Sequence, residues 1–263
     1  MKNILVTGGS GKAGRATINL LLKKNYNVFN VDLVNNSELD VPFTKVNLEN
    51  FGDAMESVSE IDDRINGIDA IIHQAAIPAP GLETNHKIFR TNTLSTYNIF
   101  QAAKVLKINN IVWASSETVL GLPFDTYPPY VPVDEEYHPR PESSYSLSKV
   151  IGEEMARQYC RRNQDMKIFG LRYSNIMEEH DYKQFQSFQK DLFQRKWNFW
   201  GYIDARDVAQ ACHLAMESKL KGADNFIIAA DDTVMEENNK LLLDKVFPNI
   251  QIKGEIGKNK TLL

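Results

Sequence analysis

The chain has 263 residues, and its fractions of hydrophobic (43%) and charged (24%) residues are ordinary for a globular protein. A formal net charge of −4 gives no attraction to nucleic acid or to an anionic membrane, so neither is expected as a partner. The two cysteines, Cys160 and Cys212, lack metal-ligand spacing, and buried reduced thiols predict a cytoplasmic protein without a metal site. The apolar N-terminal run is too short for a signal peptide, and no segment has the length of a transmembrane span.

The first predicted element is a buried strand, Asn3–Val6, which leads into a glycine-rich turn. Helical spacing of apolar residues begins at Ala16, so the turn lies between a strand and a helix, which an ordinary surface turn would not require. A glycine-rich turn at a helix N-terminus lets backbone N–H groups approach a pyrophosphate. The residues predicted to contact a dinucleotide here are Gly8, Ser10, Gly11, Lys12, Ala13 and Gly14.

The same stretch does not fit a P-loop. A P-loop needs a glycine five residues before Gly11, where this chain has Val6. It also needs a magnesium-binding Ser or Thr after Lys12, where this chain has Ala13.

Apolar, β-rich runs alternate with helical patterns along the chain, which predicts a Rossmann-type, doubly wound parallel sheet of the α/β class. Further strands are predicted at 28–32, 43–48, 70–73, 110–115, 167–173 and 225–229, and helices at 51–60, 86–107, 144–163, 205–218 and 234–246. We expect one domain over 1–263, with 1–170 mainly binding the dinucleotide and 171–263 forming a small C-terminal substrate-binding part. Ligands of such sheets lie at the carboxyl ends of the strands.

Asp32 ends the second strand and is followed by Leu33, and both are predicted to contact the cofactor. A carboxylate at this place accepts hydrogen bonds from both hydroxyls of an adenosine ribose and repels a 2′-phosphate. Asp32 therefore predicts NAD rather than NADP. Lys12 and Arg15 argue against this preference for NAD, because either cation would tolerate the 2′-phosphate of NADP.

The stretch 121–144 is rich in proline, tyrosine and acidic residues. A loop of this length in a compact domain is usually functional or disordered. We expect it to cover a substrate, and a rigid surface connection is the alternative.

Tyr145 and Lys149 open the helix predicted at 144–163, and their spacing places the phenol and the ammonium on one helix face. A nearby cation favours the phenolate, so this pair would exchange a hydroxyl proton while hydride moves to or from a nicotinamide. The tyrosine–lysine spacing alone is common. Ser115 and Ser116 end the strand predicted at the ligand edge, where the Ser116 hydroxyl would hold the reacting oxygen beside Tyr145.

Together these motifs resemble the extended short-chain dehydrogenase/reductases, and the chain looks like their NAD-dependent epimerase/dehydratase branch over about residues 3–215. The residues that carry the resemblance are Thr7-Gly8, Gly11, Gly14, Asp32, His73-Gln74-Ala75-Ala76, Asn92, Ser115-Ser116, Tyr145 and Lys149. The resemblance implies bound NAD, Tyr145 as the acid and base, Lys149 at the nicotinamide ribose, and Ser116 on the substrate hydroxyl. It also implies cofactor contacts at Asn47, Leu48, Ala75, Ala76 and Asn92, although Asn47 stands where the family has Asp.

The residues after Ser116 depart from the family's pattern. Dehydratases carry Thr-Asp-Glu there, whereas this chain has Glu117-Thr118, which lacks the second carboxylate and disfavours a dehydratase. Epimerases carry small residues at these positions. Glu117 is a candidate substrate contact, with a pairing to a neighbouring base or an orientation toward solvent as the alternative.

Arg172 and Asn175 resemble the family's Leu-Arg-x-x-Asn segment, whose Asn helps hold a nucleotide diphosphate, and both are predicted to bind substrate. The arginine that binds the diphosphate in epimerases is here Trp200, and the segment 176–199 is short. Both departures favour a smaller substrate, as in the compact uronate dehydrogenases, where Arg172 would pair with a carboxylate. A structural pair between Arg172 and an acid such as Asp207 is the alternative.

The sequence thus predicts an NAD-dependent oxidoreductase or epimerase of a sugar, sugar-nucleotide or sugar-acid carbinol. The alternatives are a net dehydrogenase of a small free sugar or sugar acid, and a non-catalytic NAD(P)-sensing protein, which retention of Ser116, Tyr145 and Lys149 disfavours. The resemblance also implies a homodimer formed through the helices at 86–107 and 144–163. The apolar end Lys260–Leu263 looks unfinished, and we expect a chain that is cut short or a disordered terminus.

Overall fold

The computed structural model describes residues 1–59 and 67–263. The strands are β1 Asn3–Thr7, β2 Asn27–Asp32, β3 Phe43–Lys45, β4 Ala70–His73, β5 Asn110–Ser116, β6 Lys167–Tyr173, β7 Ile176–Met177, β8 Ile203–Asp204 and β9 Gly222–Ile228. The α-helices are α1 Lys12–Lys23, α2 Phe51–Ser59, α3 Asn85–Val105, α4 Ser144–Arg162, α5 Phe185–Phe188, α6 Ala205–Glu217 and α7 Asn239–Val246. Residue 60, the predicted end of the second helix, lies outside the described residues.

Seven parallel strands form the central sheet in the order β3-β2-β1-β4-β5-β6-β9. Ile4 of β1 lies opposite Val28 on one side and Ala70 on the other, so the chain winds outward in both directions from β1. The doubly wound parallel sheet is confirmed. Its switch point lies between β1 and β4, where a dinucleotide-binding crevice is expected.

Helices cover both faces of the sheet. On one face, α2, α3 and α4 pack over apolar residues of β1, β4, β5 and β6. On the other face, α1 and α6 pack over the remaining apolar side chains of the strands. The approach of α4 to β5 is closest at Gly152, where a Cβ atom would lie 2.5 Å from the Trp113 ring.

A separate apolar cluster joins the loop 121–143 to the C-terminal part of the chain. Val131 N donates to Gln251 O and Val133 N donates to Leu262 O, both at 2.9 Å. Leu122, Phe124, Val131, Val133 and Tyr137 of this loop are buried in the cluster with Trp200, Phe247 and Leu262. The middle of the loop is therefore packed against the C-terminal part and is not a surface connection. That the loop covers a substrate stays a prediction.

Other differences from the predicted elements have local causes. The third strand ends at Lys45 rather than at 48, because only Phe43 to Lys45 pairs with β2. The last helix begins at Asn239, since the side chain of Asn238 accepts from Leu241 N and caps it. The two-residue strands β7 and β8 pair with each other and are too short for a periodic pattern. None of the described helices combines the length and apolar character needed to cross a membrane.

Candidate active site

A cavity of about 1240 Å³ runs along the carboxyl ends of the strands. It brings together seventeen of the residues predicted from the sequence. Those predicted to bind cofactor are Gly8, Ser10, Gly11, Lys12, Ala13, Gly14, Asp32, Leu33, Asn47, Leu48, Ala75 and Ala76, and those predicted near the chemistry are Ser116, Glu117, Tyr145, Lys149 and Asn175. Two predicted residues, Asn92 and Arg172, lie outside its wall and are described below.

The glycine turn has the geometry that a diphosphate needs. Gly8 has φ +69°, and a Cβ there would lie 2.5 Å from Ala75 N. A Cβ on Gly14 would lie 2.2 Å from Gly8 O, so the first turn of α1 can only approach the strand end with glycine. Gly11 is the N-cap residue of α1, and within the described chain no side chain accepts a hydrogen bond from the first N–H groups of this helix. No acidic residue occupies the first turn of α1. The N–H groups of α1 are therefore available to an anionic ligand, which fits a dinucleotide.

Asp32 holds the turn from the end of β2. Its Oδ2 accepts from Ser10 N at 3.0 Å and its Oδ1 from Leu33 N at 2.6 Å. The two cations that would tolerate a 2′-phosphate have partners elsewhere: Lys12 Nζ is 2.5 Å from Asp181 Oδ2, and Arg15 Nη2 is 2.6 Å from Glu178 Oε1. These pairs connect α1 to the segment after β7.

Asn92 acts on the segment that lines the cavity. Its Oδ1 accepts from Ile77 N at 2.8 Å and its Nδ2 donates to Ile77 O at 3.1 Å. Ala75 N, in turn, donates to Thr7 Oγ1, which is hydrogen bonded to His73 Nδ1 at 2.7 Å. Burial, followed by the charge of Lys149, lowers the pKa of His73 to about 3. Asn92 and neutral His73 therefore position Ala75 and its neighbours, and the Asn92 amide is directed at the backbone rather than at a ligand.

Tyr145 and Lys149 reach the cavity from the first turns of α4. Ser143 begins this helix by a reciprocal cap, in which its hydroxyl accepts from Ser146 N and its N–H donates to Ser146 Oγ. Lys149 Nζ donates to Ala114 O at 2.7 Å and lies 5.6 Å from the centre of the Tyr145 ring. Ser116 Oγ, at the end of β5, accepts from Thr118 Oγ1 at 3.0 Å.

Burial controls the protonation of this group. It raises the pKa of Tyr145 to about 12, with the Ser116 hydroxyl acting in the opposite direction. Burial also lowers the pKa of Lys149 to about 8. In the protein alone, desolvation of the phenolate therefore outweighs the tendency of a nearby cation to favour it.

Glu117 lies at the substrate end, directly after Ser116. Its side chain is 3% exposed, and Oε1 accepts from Asn198 Nδ2 at 3.2 Å. Burial raises the pKa of Glu117 to about 7, against the opposing effects of Ser174, Asn198 and Arg195. Glu117 thus faces the cavity as a carboxyl group that is readily protonated, and an orientation toward solvent is excluded.

Arg195, a buried arginine that interacts with Glu117, was not singled out from the sequence. Its Nη1 donates to Asn175 Oδ1 at 2.9 Å and its Nη2 to Gly201 O at 2.7 Å. Arg195 lies in a segment without regular secondary structure, so no periodic pattern of apolar residues indicates its burial. Trp200, which replaces the family's diphosphate arginine, is fully buried and donates from Nε1 to Leu192 O at 2.8 Å.

Arg172 corrects a prediction. Its Nε and Nη2 donate to both carboxylate oxygens of Glu153 on α4, at 2.9 and 2.8 Å, and both side chains are buried. Ser115 Oγ also donates to Glu153, at 2.7 Å. The alternation of β6 directs Arg172 toward α4 while Tyr173 lines the cavity. Arg172 is therefore a structural partner of Glu153, not of Asp207, and is not among the described residues that line the cavity.

The geometry agrees with the comparisons to known proteins. Residues 4–229 match the NAD dependent epimerase/dehydratase family. The chain belongs to this family. The resemblance drawn from the motifs is confirmed, as is NAD as the family's cofactor.

Two relatives illustrate its place in the family. A putative UDP-glucose 4-epimerase of Methanocaldococcus jannaschii is 33% identical over 187 residues, which cover 67% of this chain and 56% of the relative. An L-arabinose 1-dehydrogenase (NAD(P)+) of Haloferax volcanii is 27% identical over 247 residues, which cover 88% of this chain and 90% of the relative. The chain spans about half the length of the first epimerases that it matches.

Solved structures show the same fold. The UDP-Glc/GlcNAc 4-epimerase of Campylobacter jejuni has a TM-score of 0.71 at 18% identity, covering 100% of this chain and 90% of that chain. The uronate dehydrogenase of Agrobacterium tumefaciens has a TM-score of 0.67 at 20% identity, covering 97% and 85%. At these identities the likeness concerns the fold only.

Proposed function

We propose that this protein is an NAD-dependent oxidoreductase of a sugar carbinol, working as an epimerase or as a dehydrogenase. The supporting observation is that Ser116, Tyr145 and Lys149 share one cavity with the glycine turn and Asp32. Bound NAD would supply the hydride acceptor. The glycine turn would hold its diphosphate and Asp32 its adenosine ribose.

The chain's own residues would move and stabilise the proton. The Tyr145 phenolic oxygen exchanges a proton with the carbinol hydroxyl, while Ser116 Oγ orients the same oxygen by a hydrogen bond. Lys149, held by Ala114 O, places its charge 5.6 Å from the Tyr145 ring centre and favours the phenolate. Because burial opposes the ionisation of Tyr145, any positive charge on a bound cofactor would further favour the phenolate.

Two fates of the hydride fit this site. Its return to the substrate would make an epimerase, which agrees with the relatives named as UDP-glucose 4-epimerases. Its departure with NADH would make a dehydrogenase of a small sugar. The second outcome is favoured by the match to L-arabinose 1-dehydrogenase, which covers 90% of that relative's length. A non-catalytic NAD(P) sensor would not need the buried Ser116, Tyr145 and Lys149.

The assembly and the location expected from the sequence also remain proposals. Four apolar side chains of α3 and α4 are exposed, namely Leu94 (39%), Tyr97 (44%), Val105 (53%) and Leu147 (42%). They support a homodimer formed through these helices. Cys160 and Cys212 are free and buried, which supports the reducing cytoplasm.

A substrate panel tests the function. The protein is mixed with NAD or NADP and with free sugars, sugar acids or UDP-sugars, and both NADH absorbance and sugar isomers are measured. Net formation of NADH would indicate a dehydrogenase. Isomerisation of the sugar without net formation of NADH would indicate an epimerase. We expect NAD to be used in preference to NADP, because Asp32 repels a 2′-phosphate and Lys12 and Arg15 are paired. No NADH and no isomer with any sugar would contradict the proposal.

A further inference from the structure

The charge of the cavity wall is unusual at its substrate end. Among the described residues that line the cavity, the basic ones are Lys12 and Lys149. Lys12 stands at the glycine turn and is paired with Asp181, and Lys149 Nζ donates to Ala114 O and lies 5.6 Å from the centre of the Tyr145 ring. Beyond Tyr145 the charged residues that line the cavity are Glu117 and Glu142. Arg195, the cation beside Glu117, is not among the described residues that line the cavity.

Glu117 has an unused hydrogen-bonding atom there. Oε1 accepts from Asn198 Nδ2. Within the described part of the chain, neither Oε2 nor the Oγ of the neighbouring Ser174 has a hydrogen-bond partner of good geometry, although Ser174 and the Asn175 backbone are close enough to lower the pKa of Glu117. The terminal nitrogens of the neighbouring Arg195 donate to Asn175 and Gly201. A buried carboxyl oxygen left unpaired costs free energy, and a ligand that pairs with it recovers that cost.

The chemistry of this oxygen selects its ligand. A hydroxyl group both donates and accepts, so it pairs with Glu117 whether the carboxyl is ionised or protonated. A carboxylate only accepts, and it brings a like charge into a poorly solvated place, which disfavours binding.

Building on the proposed function, we propose that Glu117 determines substrate specificity: it binds a hydroxyl of an uncharged sugar and rejects the corresponding sugar acid. The site thus differs from one that binds a sugar carboxylate, for which Arg172 would be needed and is instead paired with Glu153.

The rejection of sugar acids by Glu117 should depend on pH. Burial raises the pKa of Glu117 to about 7, so the carboxyl is mostly neutral below that pH and charged above it. The other titratable or charged groups beside it are Arg195, which stays cationic, and Tyr145, whose pKa burial raises to about 12. Lys149 loses its charge near pH 8, and this change is common to the wild type and to a Glu117 variant.

The test compares sugar pairs that differ only in one group, such as glucose with glucuronate and galactose with galacturonate. With NAD present, kcat/KM of the wild type is measured for each pair from pH 6 to pH 8.5. We expect the sugar to be preferred by about tenfold or more above pH 7, and the preference to shrink below it. Glu117→Gln should lose most of this preference and its dependence on pH. Glu142→Gln removes an exposed acid that is paired with Arg140 and should change the preference much less.

A binding measurement distinguishes the role of Glu117 in specificity from the proposed reaction. Calorimetry on the NAD-loaded Tyr145→Phe variant measures affinity for the sugar and the sugar acid without turnover. Preferential binding of the sugar without turnover by the wild type would support Glu117 and contradict the reaction. The role of Glu117 would be overturned if sugars and sugar acids were turned over or bound equally well above pH 7. It would also be overturned if Glu117→Gln kept the preference of the wild type.

Discussion

Glu117 links the chemistry of one residue to the stability of the fold. Its pKa is about 7 when folded, against an ordinary value of 4.5, because burial penalises the carboxylate. Between these values the folded protein holds a proton that the unfolded chain releases. The free energy of unfolding therefore falls as pH rises from 4.5 to 7, by on the order of 3 kcal/mol from this group.

Denaturant unfolding of the wild type and Glu117→Gln at several pH values checks this expectation. The difference in unfolding free energy between the two should grow in favour of the glutamine variant as pH rises through this window. Parallel stability curves would show that Glu117 does not titrate in the folded protein as described.

At the same scale, the sequence predicted most of the site because spacing fixes which side chains share an edge or a helix face. Tyr145, Lys149 and Ser116 were placed in this way. Arg172 was misplaced, since its partner Glu153 lies on another element and no local pattern connects them. The raised pKa of Tyr145 could not be predicted from the spacing either, because it follows from burial, which depends on packing.

At the scale of elements, α3 and α4 pack against each other and against the sheet, yet part of their outer surface is apolar. A groove of about 320 Å³ between them has a mixed lining of four apolar or aromatic and four polar or charged side chains: Tyr97, Ile151, Met155 and Tyr159, with Gln101, Glu154, Gln158 and Arg162. Apolar and aromatic side chains with polar residues around them are typical of an interface.

We expect a mass of two chains in light scattering after size-exclusion chromatography. Tyr97→Glu should reduce the mass to that of one chain, because the added charge would be buried at the interface. Leu214→Glu, at a 59% exposed position of α6, is the matched control and should leave the mass unchanged. A wild-type mass of one chain would contradict the homodimer.

For the molecule as a whole, the sequence predicted the parallel sheet because strands buried on both faces and helices of one apolar face leave clear patterns. The packing of the loop 121–143 with the C-terminal part was not predicted. Val133 pairs with Leu262 across 129 positions, and such contacts depend on the tertiary fold rather than on local periodicity. Leu262 is fully buried in this cluster.

In the proposed reaction Tyr145 exchanges the proton while NAD, held mainly by other residues, accepts the hydride. Two quantities are measured for Tyr145→Phe: the single-turnover formation of NADH or of the sugar isomer, and the affinity for NAD. Tyr159→Phe is the matched control, since it removes a hydroxyl from the same helix outside the cavity. We predict a loss of about 10²–10⁴-fold in hydride transfer for Tyr145→Phe, with nearly unchanged NAD affinity. Hydride transfer by Tyr145→Phe at the rate of the control would contradict the account.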